Sequence, residues 1–156
     1  MSIYSVITGT GSYIPSKVKK NSDFIHSTFL NEDGSLFKYN NEVVIGKFKQ
    51  ITGIEERRYA SDNLNASDLA VFAAENAIKT SGINRDTIDQ IIVSHNFGDV
   101  QYGSVQGDTL PCLASKVKNK LRIKNPNCVA YDLLFGCPGW VQGLIHGEAF
   151  IKSGIA

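Results

Sequence analysis

The chain has 156 residues, 42% hydrophobic and 20% charged, a balance that can bury a core and excludes intrinsic disorder. Sixteen basic against fifteen acidic residues leave a net charge of +1, which argues against a dedicated nucleic-acid surface or a strongly charged partner. Cys112, Cys128 and Cys137 show neither a C-x-x-C pair nor zinc-ligand spacing with the three histidines. Reduced thiols, a cytoplasmic location and no metal site are therefore expected.

The first residues, MSIYSVITGTGSYIP, contain no basic n-region, long apolar run or small-residue cleavage site, so no secretory signal is expected. No segment approaches the roughly 18 apolar residues that span a bilayer, and no membrane association is expected. Residues 4–12 alternate β-branched and aromatic side chains before a glycine turn and Pro15, which predicts a buried first strand. Residues 21–30 read as a short helix, Asp33-Gly34 as a turn, and residues 42–50 as a second helix. Residues 67–80 carry the clearest helical pattern: Ser67 as cap, Asp68 in the first turn, an apolar face of Leu69, Phe72, Ala73 and Ala77, and Gly82 beyond the end.

Residues 89–95, with Ile91, Ile92 and Val93 in a row, predict a central strand. A glycine-rich loop over residues 97–108 leads to a helix over residues 111–121 with Pro111 in its first turn. Residues 127–134 predict a third strand, which Gly136-Cys137-Pro138-Gly139 breaks before a helix over residues 140–152. Strand and helix alternate as in an α/β fold whose sheet is covered by helices on both faces. The next element should be another strand, so residues 1–156 read as one half-domain that stops in mid-fold.

The chemistry concentrates at Cys137. A side chain at a strand-to-helix turn is pushed out of the sheet toward unpaired N–H groups of the following helix. A helix N-terminus carries about half a positive charge, enough to favour a thiolate at neutral pH. Pro138 suits the first helical turn, and Gly139 allows an acyl group to approach closely. Spacing alone leaves a second reading open, since free cysteines are among the residues most often buried as small hydrophobes. Cys112 and Cys128, with no glycine turn beside them, read as packing residues.

Four segments, ITGTGSYIPSKV, KQITGIEERRYAS, ASDLAVFAAENAIKTSGINRDTIDQIIVS and VAYDLLFGCPGWVQGLIHGEAFIKSG, resemble in this order the first half of β-ketoacyl-acyl-carrier-protein synthase III. The most specific are T-G-I-x-x-R at residues 52–57 and A-x-D-x-x-x-x-C-x-G-[FW], ending at Trp140. The resemblance implies a thiolase-like fold of two similar halves with a mixed sheet, and a homodimer. It implies that Cys137 takes an acyl group from acyl-CoA or acyl-carrier protein and condenses it with malonyl-carrier protein in fatty acid or related biosynthesis. Acyl carrier protein is then the partner, no cofactor is needed, and a histidine and an asparagine come from the second half. The Cys137 N–H would supply one oxyanion donor. Leu110, Gly139 and Trp140 would border the substrate pocket, Leu110 in a loop reaching toward the partner subunit.

Two departures stand out. Ile51 precedes Thr52-Gly53 where well-known members carry an Arg-Thr-Gly-Ile sequence, and Lys47 occupies the position of a tryptophan that helps hold coenzyme A. Rival readings are a cysteine hydrolase of the nucleophile-elbow kind, disfavoured by Phe135 two residues before the nucleophile, and an inert dimerisation or carrier-docking fragment. Gly9-Thr-Gly11 lacks the third glycine of a dinucleotide loop, with Ile14 and Pro15 following, and reads as a tight turn. His146 lies about two and a half helical turns beyond Cys137 and reads as a packed or surface residue. His95 reads as a hydrogen-bonded strand end, and Arg57-Arg58 as solvent-facing or as a contact for an acidic carrier.

Overall fold

The computed structural model describes residues 4–156; Met1, Ser2 and Ile3, at the head of the segment read for a secretory signal, lie outside them. The chain divides into two compact units, one of residues 14–61 and one of residues 62–156 together with the segment ending at Tyr13.

In the smaller unit, strands β1 (Lys17–Lys20) and β2 (Glu56–Tyr59) pair antiparallel, with Lys17 opposite Tyr59 and Lys20 opposite Glu56. Neither strand is predicted by the sequence pattern, because the ladder is built from charged residues with no apolar alternation. Helix α1 (Asn41–Thr52) lies between them in sequence, and Asn40 caps it by accepting the Val43 N–H at 3.0 Å. The predicted helix over residues 21–30 shrinks to a 3-10 turn, Asn21–Phe24. The Asn41 amide donates to the carbonyls of Ile25 and Ser27 at 2.7 and 2.8 Å, occupying acceptors that a continuing helix would need. The Asp33-Gly34 turn forms as expected, with the Asp33 carboxylate accepting the Ser35 N–H at 2.9 Å.

The larger unit holds helix α2 (Ala66–Ser81), strand β3 (Gln90–His95), helix α3 (Leu113–Lys120), strand β4 (Val129–Leu134) and helix α4 (Gly139–Ser153). Strands β3 and β4 pair parallel, from Gln90 opposite Val129 to His95 opposite Leu134. Because strand side chains alternate between faces, Ile91 and Val93 join the core under α2 and α3, while Gln90, Ile92 and Ser94 face α4. The core is Val71, Leu113, Val117, Leu121, Ile123 and Cys128, all buried. Helices thus cover both faces of the parallel pair, as the alternation of elements predicts.

Three expectations change. Residues 4–12 form no strand; Asn76 donates to Ser12 O at 3.0 Å, a Cβ at Gly9 would sit 2.6 Å from Ala77 O, and one at Gly11 would overlap Ala73 O. The glycines therefore serve close packing on α2 instead of a turn or ladder. Helix α2 is capped by Asn65, with Ser67 buried inside the first turn, and ends at Gly82 with φ 69°. The Ser67 N–H, one of the first-turn donors without an intrahelical partner, goes to the Asp99 carboxylate at 2.9 Å, and its hydroxyl accepts from the Lys120 ammonium at 2.8 Å. Helix α3 starts at Leu113, so Pro111 precedes it and Cys112 is its cap residue.

Candidate active site

Strand β4 ends at Leu134, and Phe135 N still donates to His95 O at 3.1 Å, which holds the exit from the strand against β3. Gly136, Cys137 and Pro138 then make a tight turn closed by Gly139 N donating to Gly136 O at 2.9 Å. The first bond within α4 runs from Gln142 N to Pro138 O at 3.1 Å. Pro138 is therefore the cap rather than a first-turn residue, and the N–H groups of Trp140 and Val141 precede the helix's own bonding. Cys137 is exposed on this turn, whereas Cys128 is buried and Cys112 is intermediate.

Of the residues predicted to border a pocket, Gly139 is buried where a Cβ would overlap Ser94 Oγ on β3. Gly143 has no such restriction, its nearest neighbour being Ile92 Cγ2 at 4.0 Å. This close approach seats the start of α4 on the sheet. Trp140 forms one wall of a cavity of about 550 Å³ with Gln90, Ile92, Ser94, Gly143 and Leu144. Cys137 and Leu110 are not among that cavity's lining residues. Leu110 is exposed on the loop before α3.

Sequence reasoning names Asp132 only as a motif position, yet it joins three elements. Its carboxylate accepts the N–H groups of Leu113 and Ala114 at 2.8 and 2.7 Å, and lies 2.9 Å from His95 Nε2. Burial alone would push this carboxyl up, but the Ala114 N–H, His95 and the Leu113 N–H hold it below the usual carboxylate range. A carboxylate only accepts, so a neutral His95 carries its proton on Nε2. His95 Nδ1 is buried and has no hydrogen-bond partner among the described residues. The signal was the fixed spacing of Asp132 to Cys137 in the motif; its capping role depends on β4 lying beside α3, which no local pattern encodes.

His146 packs within an aromatic cluster of β4 and α4. Tyr131 OH and His146 Nδ1 meet at 3.0 Å, with Phe150 edge-on to both rings. The Arg57 guanidinium lies 5.3 Å from the Phe24 ring and 5.8 Å from Phe48, and donates to Asn21 Oδ1 at 2.9 Å. Arg58 remains exposed, 3.5 Å from Glu56. Lys47 lies 5.4 Å from the Tyr39 ring and lines an apolar cavity of about 240 Å³ with Phe37, Val43, Phe48 and Ile51. Among the described residues there is no cluster of three or more His, Cys, Asp or Glu side chains able to hold a metal, and no helix long and apolar enough to cross a membrane.

No family model matches the chain. Curated relatives do: the chain is 37% identical over 153 residues to beta-ketoacyl-[acyl-carrier-protein] synthase III 1 of Vibrio cholerae, covering 98% of this chain and 41% of that protein. It is 33% identical to beta-ketoacyl-[acyl-carrier-protein] synthase III of Neisseria meningitidis, again over 98% of this chain and 41% of the relative. Among solved structures, 3-oxoacyl-(acyl-carrier protein) synthase from Burkholderia xenovorans superposes with a TM-score of 0.75 at 27% identity, covering 99% of this chain and 38% of that one. The synthase III of Thermus thermophilus gives 0.72 at 29% identity, covering 97% and 40%. The chain is thus a thiolase-like α/β homologue of β-ketoacyl-[acyl-carrier-protein] synthase III, spanning about two-fifths of the length of the curated relatives it matches.

Proposed function

We propose that this chain carries the acyl-accepting cysteine of a condensing enzyme of the β-ketoacyl-[acyl-carrier-protein] synthase III type, serving fatty acid or related acyl-chain biosynthesis. The observation that carries the reading is an exposed Cys137 on the turn between β4 and α4, within a stretch homologous to those enzymes. The Cys137 sulfur attacks the carbonyl carbon of an acyl thioester, the bond to the donor's sulfur breaks, and the donor leaves as a thiol after taking up a proton. Malonyl-carrier protein then loses carbon dioxide. The electron pair of the broken bond stays on its α-carbon, which attacks the Cys137 thioester and expels the cysteine thiolate. Backbone N–H groups aimed at the carbonyl oxygen lower the barrier to both additions, and the Cys137 N–H is one such donor.

The donor is acyl-CoA or acyl-carrier protein, acyl carrier protein is the partner, and the enzyme works as a cytoplasmic homodimer without metal or cofactor. Leu110, Gly139 and Trp140 border the acyl pocket. A histidine and an asparagine beyond the homologous stretch activate the malonyl unit, so the 156-residue chain by itself accepts an acyl group slowly and releases no β-ketoacyl product.

Incubation with acyl-CoA or acyl-carrier protein, followed by peptide mass spectrometry, tests the reading. The expected result is one acyl increment on the Cys137 peptide, absent from Cys137→Ala. Equal labelling of the alanine variant, or no labelling with either donor, would overturn it.

A further inference from the structure

The turn that carries Cys137 is held by the last two residues of β3, Ser94 and His95. On the face covered by α4, Ser94 Oγ fills the space beside Gly139. At the strand end, the His95 carbonyl accepts the Phe135 N–H at 3.1 Å, two residues before Cys137. Beyond His95 the chain leaves the sheet through exposed Asn96 and Phe97 to Gly98, whose φ is 93°. The bond that anchors the turn therefore lies where a ladder frays first.

The His95 side chain steadies that end. Val93 lies opposite Asp132 and His95 opposite Leu134, so the ring and the carboxylate are diagonal neighbours on the face that α3 covers. His95 Nε2 donates to Asp132 Oδ2 at 2.9 Å, and both side chains are only 16% exposed. Asp132 is itself held by the Leu113 and Ala114 N–H groups. The ring is thus moored to β4 and α3 at once, through a hydrogen bond that an ionised acceptor and a sheltered setting both strengthen. One nitrogen does all of this, since Nδ1 is buried without a hydrogen-bond partner among the described residues.

We infer that His95 is a positioning residue for acyl transfer: its ring, moored through Nε2 to Asp132, fixes the carbonyl on which the Cys137 turn hangs. It thereby sets how the Cys137 sulfur and N–H meet the acyl carbonyl, an approach whose rate is sensitive to small displacements. His95 acts through Phe135 and the turn, not on the acyl group. This inference rests on the reading of Cys137 as the acyl acceptor.

The test measures Cys137 acylation by peptide mass spectrometry over a range of acetyl-CoA and acetyl-carrier-protein concentrations. The wild-type chain is compared with His95→Leu, His95→Asn and His95→Gln, with iodoacetamide labelling of Cys137 and urea unfolding read alongside. Counted in bonds along the side chain, the Gln amide nitrogen sits where Nε2 does, whereas the Asn nitrogen reaches only the Nδ1 position. His95→Leu and His95→Asn should therefore lower the acylation rate at saturating donor by about tenfold, with the half-saturating concentration unchanged. His95→Gln should restore most of that rate, because its amide can still donate to Asp132. Iodoacetamide, whose reaction develops no oxyanion, should label Cys137 at the wild-type rate in every folded variant. A role in stability alone would move the urea midpoints and leave the saturated rate of the folded protein unchanged. Equal acylation rates for His95→Asn and His95→Gln, or the wild-type rate in a folded His95→Leu, would overturn the inference and leave acyl transfer at Cys137 standing. If His95→Leu does not fold, the Asn and Gln variants decide alone. A wild-type chain that takes an acyl group from neither donor would remove the acyl-transfer reading, and this inference with it.

Discussion

Ser94 on β3 occupies the space that a side chain at residue 139 would need. A Cβ there would overlap Ser94 Oγ and come within 3.1 Å of Phe135 Cβ. The first residue of α4 and the exit of β4 are thereby locked together around the turn that carries Cys137. Gly139→Ala should destabilise the larger unit by about 2 kcal/mol through overpacking. Adding Ser94→Ala removes the overlapping oxygen, so the double variant should recover at least half of that loss, a non-additivity expected of touching residues. Urea titration of the four proteins measures it; strict additivity would mean that the glycine is present for another reason.

Asp132 contributes stability whose sign follows from its direction of shift. Its carboxyl is held below the unfolded value, about 3.9. The contribution is therefore fully present above about pH 4 and is lost as pH falls through the lower folded value. Asp132→Asn removes the charge from two backbone donors and His95, which should cost about 2–3 kcal/mol at neutral pH. The difference between the two proteins should shrink steadily below pH 4, a trend that chemical denaturation at several pH values reads directly.

How much was legible depended on whether the information was local. Helices α2 and α4, strands β3 and β4 and the turn at Cys137 were readable because apolar periodicity and glycine punctuation mark them in the chain itself. Strands β1 and β2 were not, since Lys17, Lys19, Lys20, Glu56, Arg57 and Arg58 give a charged ladder that resembles a solvated loop until it is paired. Residues 4–12 misled in the opposite direction: alternation promised a strand, but a strand needs a neighbour, and the described contacts of Gly9, Gly11 and Ser12 are with α2. Cys137 could be singled out from its flanking residues. Asp132 could not be given its role, because its partners lie 18, 19 and 37 residues away.

The core of the larger unit should tolerate loss at its surface loop far better than at its centre. Leu121 is 2% exposed and packs with Val117, Ile123 and Cys128, so Leu121→Ala should cost about 2–5 kcal/mol through the cavity it leaves. Val105, in the loop between β3 and α3, is 99% exposed, and Val105→Ser should change stability by no more than about 0.5 kcal/mol. Thermal unfolding of the two variants would show a marked fall in the first and almost none in the second.

The three thiols should react in an order set by access and by the cost of ionising them. Cys137 stands exposed on its turn, Cys112 is half-sheltered with Sγ 3.1 Å from Ser115 Oγ, and Cys128 is buried in the core. Burial pushes the Cys128 thiol up, opposed by the Lys118 ammonium and reinforced by Asp89. Since alkylation proceeds through the accessible thiolate, iodoacetamide at neutral pH should modify Cys137 first and Cys128 only on unfolding, with rates separated by at least about a hundredfold. Pulse alkylation followed by peptide mass spectrometry assigns the order. If Cys112 or Cys128 were modified first in the folded chain, Cys137 would lack the open approach that thioester exchange requires, and the acyl-transfer reading would lose the group on which it depends.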